Sequence, residues 1–168
     1  MAASIYSDEE QASFAQERLW FLQQLDPRNT AYHLAVSVSL PPDADPELLR
    51  AAMKDMTQRH DTLRTVFENR DGVPYQCVLP AAVLEIPEIA LQDLPAVERQ
   101  AHIDRLLADE YTTPFDLAQG PLVRCRFLRV GEHTAVALVV LHHIIADGWS
   151  MGLFVRDLTE FCAARAEG

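Results

Sequence analysis

The stretch that decides the fold is Ala135-Val136-Ala137-Leu138-Val139-Val140-Leu141-His142-His143-Ile144-Ile145-Ala146-Asp147-Gly148-Trp149-Ser150. Its first seven residues, Ala135 to Leu141, are unbroken apolar and lack the polar alternation of a strand with one wet face. They predict a strand buried on both sides, with structure packed above and below it. Two imidazoles follow, then three small or apolar residues, then Asp147-Gly148. Asp before Gly is turn chemistry and a natural helix cap. An amphipathic helix is expected over 149–164, with Leu153, Phe154, Leu158 and Phe161 on one stripe. Paired histidines on a turn leaving a buried strand sit where an acid–base group is held rigidly at a cavity edge.

Outward from this run, Val123, Cys125 and Phe127 alternate with Arg124 and Arg126, the period of a strand, and Gly131-Glu132 turns it into the apolar segment. Leu34, Val36, Val38 and Leu40 alternate with Ala35, Ser37 and Ser39 in a half-buried strand that Pro41-Pro42-Asp43 ends. Asp45-Pro46 opens a helix in cap-then-proline order, with Leu48, Leu49, Ala52, Met53 and Met56 on one face. Strands at 63–67 and 75–79 bracket Asn69-Arg70-Asp71-Gly72, a hairpin signal. Residues 86–90 read as a short strand that Pro87 confines to an edge. Helical spacing covers 13–25, closed by Asp26-Pro27. It returns over 95–110, where Val97, His102, Ile103, Leu106 and Leu107 are available to a core. Without repeats or linkers, this order predicts one α/β (α+β) unit over 1–168, a mixed β-sheet with flanking helices.

Composition narrows the function classes. At 168 residues and 49% hydrophobic, the chain can bury a core. No apolar run approaches the ~20 residues of a membrane span. The net charge of -11 argues against nucleic acid or an anionic membrane as partner. Residues 1–10 show neither the basic start nor the apolar stretch of a signal peptide, so the expected location is cytoplasmic. Cys77, Cys125 and Cys162 are odd in number and sit in apolar surroundings, which predicts buried free thiols. His142, His143 and Asp147 are metal-ligand types, but adjacent histidines point differently and no other Cys or His pair has ligand spacing, so no metal is expected. Arg124, Arg126 and Arg129 read as local charge partners in so acidic a chain, and Arg18 and Trp20 as helix-face packing.

Four segments carry a family resemblance. Ser13-Phe14-Ala15-Gln16-Glu17-Arg18-Leu19-Trp20-Phe21-Leu22 comes first, then Arg59-His60-Asp61-Thr62-Leu63-Arg64-Thr65-Val66-Phe67. Pro114-Phe115-Asp116-Leu117 with Gly120-Pro121-Leu122 is third, and His142-His143-Ile144-Ile145-Ala146-Asp147-Gly148 is fourth. In order and approximate spacing they resemble the core motifs of condensation domains of nonribosomal peptide synthetases, in the chloramphenicol-acetyltransferase-like superfamily. Asp61 stands where the family more often has glutamate. A complete domain of the family is much longer than this chain and continues into a second lobe of similar fold. The resemblance therefore implies an amino-terminal lobe, chloramphenicol-acetyltransferase-like in fold, whose turnover requires the carboxy-terminal lobe.

The resemblance also implies a chemistry: transfer of an acyl group from a thioester on an upstream carrier protein to the amine of an aminoacyl thioester on a downstream carrier. Those peptidyl carrier proteins and the carboxy-terminal lobe are the implied partners. Phosphopantetheine belongs to the carriers, so the lobe is expected to bind no cofactor. An attacking α-ammonium, with a pKa of about 8, must first lose a proton. The family gives this step to the second histidine, here His143, as a base or as a group that positions the amine or stabilises the tetrahedral intermediate. His142 is expected to pack or orient. Apart from the resemblance, His143 also reads as a strand-end histidine satisfied by backbone. Asp147 reads as a cap, with a triad-like role as the alternative. The family pairs this aspartate with an arginine of the second motif in a buried salt bridge; Arg59 is the first choice and Arg64 the second. Gly148 is expected to permit close backbone approach beside the thioester channel. Two other classes stand beside this reading. One is a superfamily acyltransferase acting on a free small amine or alcohol, which the Arg59 to Thr65 segment counts against. The other is a non-catalytic scaffold or docking module.

Overall fold

A computed structural model describes residues 6–166 of the chain. Its elements run β1 (Asp8–Gln11), α1 (Phe14–Leu25), β2 (His33–Ser39), α2 (Pro46–Arg59), a 3-10 turn (Asp61–Arg64), β3 (Thr65–Arg70), β4 (Val73–Val78), β5 (Glu88–Ala90), α3 (Ala96–Thr112), β6 (Val123–Arg129), β7 (Ala135–His142) and α4 (Gly148–Ala166). The strands form two sheets, ordered β2-β7-β6-β5 and β1-β4-β3. The larger sheet is mixed, because β5 runs parallel to β6 while the other pairs are antiparallel.

β7 lies inside that sheet, and helices cover both of its faces. On one, Ala137, Val139 and Leu141 join Val38, Cys125 and Phe127 in a core with Leu49, Met53 and Met56 of α2 and Phe154, Leu158 and Cys162 of α4. On the other, Leu138 and Leu128 pack with Ile103, Leu106 and Leu107 of α3. A strand covered twice has no wet face, so its sequence has no reason to alternate.

Local chemistry sets the ends of these elements. Asp45 caps α2, its carboxylate accepting from the Leu48 amide at 2.8 Å with Pro46 in the first turn. β3 and β4 join through Asp71 (φ 53) and Gly72 (φ 87), both left-handed as a two-residue I′ turn requires. Cys77, Cys125 and Cys162 are buried free thiols. Arg124 and Arg126 pair with Glu110, and Arg129 with Glu88 at 2.7 Å. No helix among the described residues is long and apolar enough to cross a membrane.

Two expectations shift, and one strand was missed. Leu63 and Arg64, read as the start of a strand, lie in the 3-10 turn; Leu63 still buries its side chain from there, which preserves the apolar spacing. β1 was not legible, because Asp8-Glu9-Glu10-Gln11 has no apolar alternation; pairing with β4 and a Glu9–Arg70 ion pair at 2.8 Å hold it. Val97 is 83% exposed and His102 is also exposed, so the inner face of α3 is narrower than expected and ends in the buried carboxylate of Glu110.

Candidate active site

The site grows from the end of β7, where β2 runs beside it with His33 opposite His142. His142 points to the α3 side and is fully buried. Its Nδ1 accepts the Ile144 amide at 3.1 Å, which leaves its proton on Nε2. Its ring meets those of His33 and Phe115 edge-on, with centroids 5.8 Å and 6.2 Å apart. Burial first, then the charges of His33 and His143, pull its pKa down to about 4, so the ring is neutral near pH 7. His33, also buried and also pushed down by desolvation, bonds the Tyr111 carbonyl through Nδ1 at 2.7 Å.

A second layer braces these rings. The Arg124 guanidinium lies 3.8 Å over Phe115 and donates to the carbonyls of Glu110, Thr113 and Pro114 where α3 ends. Glu110, buried between Arg124 and Arg126, completes the bolt between α3 and β6. The third motif thus supplies, in Phe115, an aromatic wedge against the rings of His33 and His142.

His143 sits differently. Its amide donates to the Tyr32 carbonyl at 2.7 Å, while the residue is only partly buried and its ring has no hydrogen-bond partner among the described residues. The turn then closes through Ile145 N to the His142 carbonyl at 3.1 Å. The result is one imidazole locked inside the wall and one presented at its rim. A cavity of about 90 Å³ lies under the turn, lined by Met56, His60, Leu63, Leu141, Ile145 and Phe154 among others.

Asp147 is not in a buried salt bridge with Arg59 or Arg64, and that expectation is corrected. The residue is exposed and caps α4: its Oδ1 accepts from the Ser150 amide at 2.8 Å and the Ser150 hydroxyl at 2.6 Å. The Ser150 hydroxyl oxygen in turn accepts the Asp147 amide at 2.7 Å, and the Asp147 carbonyl starts the helix by accepting from Met151 at 3.0 Å. These bonds from Ser150 hold the Asp147 carboxyl below its ordinary range. Both arginines are engaged elsewhere. Arg59 lies 3.7 Å from Asp157 of α4. Arg64 bonds the Leu79 carbonyl, Asp61 and, at 3.1 Å, Ser7 Oγ. Gly148 also differs from expectation, since a Cβ there would meet nothing within 4 Å.

The second motif reaches the site through His60 instead. Its Nε2 lies 2.9 Å from the buried carboxylate of Asp157, which Arg156 also holds at 2.8 Å. The Arg156 bond leads in keeping the Asp157 carboxyl below its ordinary range, against the opposing effect of burial. This joins the end of α2 to the body of α4. Sequence reading missed Asp157 because an acidic residue on an amphipathic helix is ordinarily solvated. It missed His33 because one histidine beginning an apolar alternation looks like packing. Gln16, the fourth residue of the first motif, was detectable there; its Nε2 donates to the Ile144 carbonyl at 3.4 Å. Among the described residues no group of three or more His, Cys, Asp or Glu is arranged to hold a metal ion.

The family model described as "Condensation domain" matches residues 6–168. The chain is similar to phosphinothricin tripeptide synthetase PhsC of Streptomyces viridochromogenes, with 40% identity over 156 residues, 93% of this chain and 14% of that protein. It is also similar to chondramide synthase cmdD of Chondromyces crocatus, with 41% identity over 145 residues, 86% of this chain and 4% of that protein. Among solved structures, the starter condensation domain of the rhizomide synthetase RzmA superposes with a TM-score of 0.86 and 27% identity, covering 96% of this chain and 39% of that one. The first condensation domain of the CDA synthetase shares the fold, with a TM-score of 0.83 and 24% identity over 92% of this chain and 40% of that one. The chain thus spans a small fraction of its curated relatives and about two fifths of these solved domains.

Proposed function

The chain belongs to the condensation-domain family of nonribosomal peptide synthetases, and from that premise we propose that it forms the amino-terminal lobe of a unit making amide bonds between carrier-bound thioesters. The observation that carries the reading is the contrast within the histidine pair. His142 is sealed in the wall as a neutral ring, while the partly buried His143 stands at the rim on a rigid turn. An acid–base group needs that combination of access and fixed position.

In the proposed reaction the α-amine of the acceptor attacks the thioester carbonyl carbon of the donor. The new C–N bond forms as the C–S bond breaks through a tetrahedral intermediate. The proton leaving the amine passes to the His143 imidazole and from there to the departing thiolate, so protons and electrons balance. The alternative contribution of the same ring is a hydrogen bond that orients the amine. Asp147 sets the start of α4 and takes no part in proton transfer. The donor and acceptor carriers, each bearing phosphopantetheine, are the proposed partners, and with a net charge of -11 no long-range attraction to an acidic carrier is expected.

The test supplies a complete condensation domain containing this lobe with a loaded donor carrier and a loaded acceptor carrier. Mass spectrometry should find the extended acyl chain on the acceptor carrier. Transfer to free small amines, with none to the carrier-bound amine, would overturn the proposal.

A further inference from the structure

Gln16 uses both ends of its side-chain amide. It is the third residue of α1, and its Oε1 accepts the Ser13 amide at 2.9 Å while its own backbone amide donates to Ser13 Oγ at 3.4 Å. This is a reciprocal capping box. The other end, Nε2, donates to the Ile144 carbonyl at 3.4 Å and to Gln76 Oε1 at 3.3 Å. The orientation of the amide is over-determined. Ser13 N–H demands an oxygen on one side, and two oxygens demand a donor on the other. Gln76 cannot offer its nitrogen without giving up Glu10, to which that nitrogen donates at 3.4 Å.

Ile144 is the residue after His143. The chain there is pinned at successive points: His143 N to Tyr32 O, Ile144 N to His142 Nδ1, and Ile144 O to Gln16 Nε2. The first pin comes from beside the neighbouring strand and the second from the turn's own histidine. The third reaches the turn from α1, 128 residues away in sequence. We propose that Gln16 is a positioning residue: its amide N–H₂ holds the turn so that the His143 ring keeps its place at the rim. This rests on the proposed role of His143 in amide formation, and capping is a separate task performed by the other end of the same side chain.

Those two tasks separate experimentally. Gln16→Glu keeps the oxygen that accepts from Ser13, as glutamate does in ordinary capping boxes, but loses the donor and turns a carboxylate toward two oxygens. Gln16→Met loses both ends. Ser13→Ala weakens only the cap. In the complete domain, Gln16→Glu and Gln16→Met should each lower kcat by about 10-fold with KM for the carriers changed less than about 2-fold, because displacement of a reacting group costs rate more than binding. All three variants should lower Tm, but only the two Gln16 variants should lower kcat, and Ser13→Ala should keep wild-type kcat. The His143 ring resonances should move in both Gln16 variants and stay in place in Ser13→Ala. Wild-type kcat with unshifted His143 resonances in Gln16→Glu would overturn the inference, as would an equal kcat loss in Ser13→Ala. A wild-type domain that forms no amide product would instead defeat the functional reading, and the His143 resonances would still decide whether Gln16 holds the turn.

Discussion

His142 and His143 are adjacent, yet β7 ends between their two surroundings: His142 is packed against His33 and Phe115, and His143 is partly buried beyond the last paired residue. Burial has a measurable consequence. In the unfolded chain the His142 ring titrates near 6.5, and in the folded chain near 4. Between those values the unfolded state binds a proton that the native state does not, so stability falls as pH drops from about 6.5 toward 4, by roughly 3 kcal/mol in full. His33, also lowered by burial, acts in the same direction. His142→Asn offers its Oδ1 in place of Nδ1 to accept the Ile144 amide and cannot titrate, so its Tm should depend less on pH over that range; an unchanged slope would contradict the burial account. Asp147 offers a second test at this scale. As an exposed cap it should tolerate Asn, an equally good cap, with Tm within about 1 °C, whereas Ala should lower Tm by roughly 2–4 °C. A large loss with Asn would restore a buried ion pair. Sequence showed the cap in Asp147-Gly148. It did not show which acid the second motif's basic residues would meet, because charge pairing depends on how α2 and α4 dock.

That docking is the business of the elements. α2 and α4 share one face of the larger sheet, and His60, Arg59 and Arg156 converge on Asp157 between them. Asp157 has a side chain 6% exposed, whereas Arg59 is 63% exposed and 3.7 Å away. Asp157→Ala should therefore cost about 1–2 kcal/mol in urea unfolding, from lost charge-assisted bonds. Arg59→Ala should cost about 0.5 kcal/mol or less, as exposed pairs do. The reverse ranking would contradict a buried Asp157 as the centre of this α2–α4 contact. Elements whose patterns are local were legible. Asp71-Gly72 specified its hairpin, Asp45-Pro46 started α2 and Pro87 marked the edge position of β5. β1 and the 3-10 turn were not, since neighbours hold them and their own periodicity does not specify them. Gly120 shows the same limit: at φ 60, with a would-be Cβ 2.8 Å from Val66 Cγ1, it is demanded by a contact distant in sequence.

Across the whole molecule, one strand organises both the core and the site. Two covered faces make β7 apolar throughout, and its end delivers one histidine to the interior and the next to the rim. The fold class and the histidine motif were legible because both follow from that single run. Their contacts were not: His33, Phe115 and Gln16 come from three separate elements or loops, and only packing brings them to the turn. The central claim is that the His143 ring handles the proton of the attacking amine. Its most direct test is the single-turnover rate of amide formation by the complete domain, with both carriers loaded, for wild type and His143→Ala. The account predicts a fall of roughly 100-fold or more in His143→Ala with Tm unchanged; a rate within about 2-fold of wild type in a folded variant would contradict it.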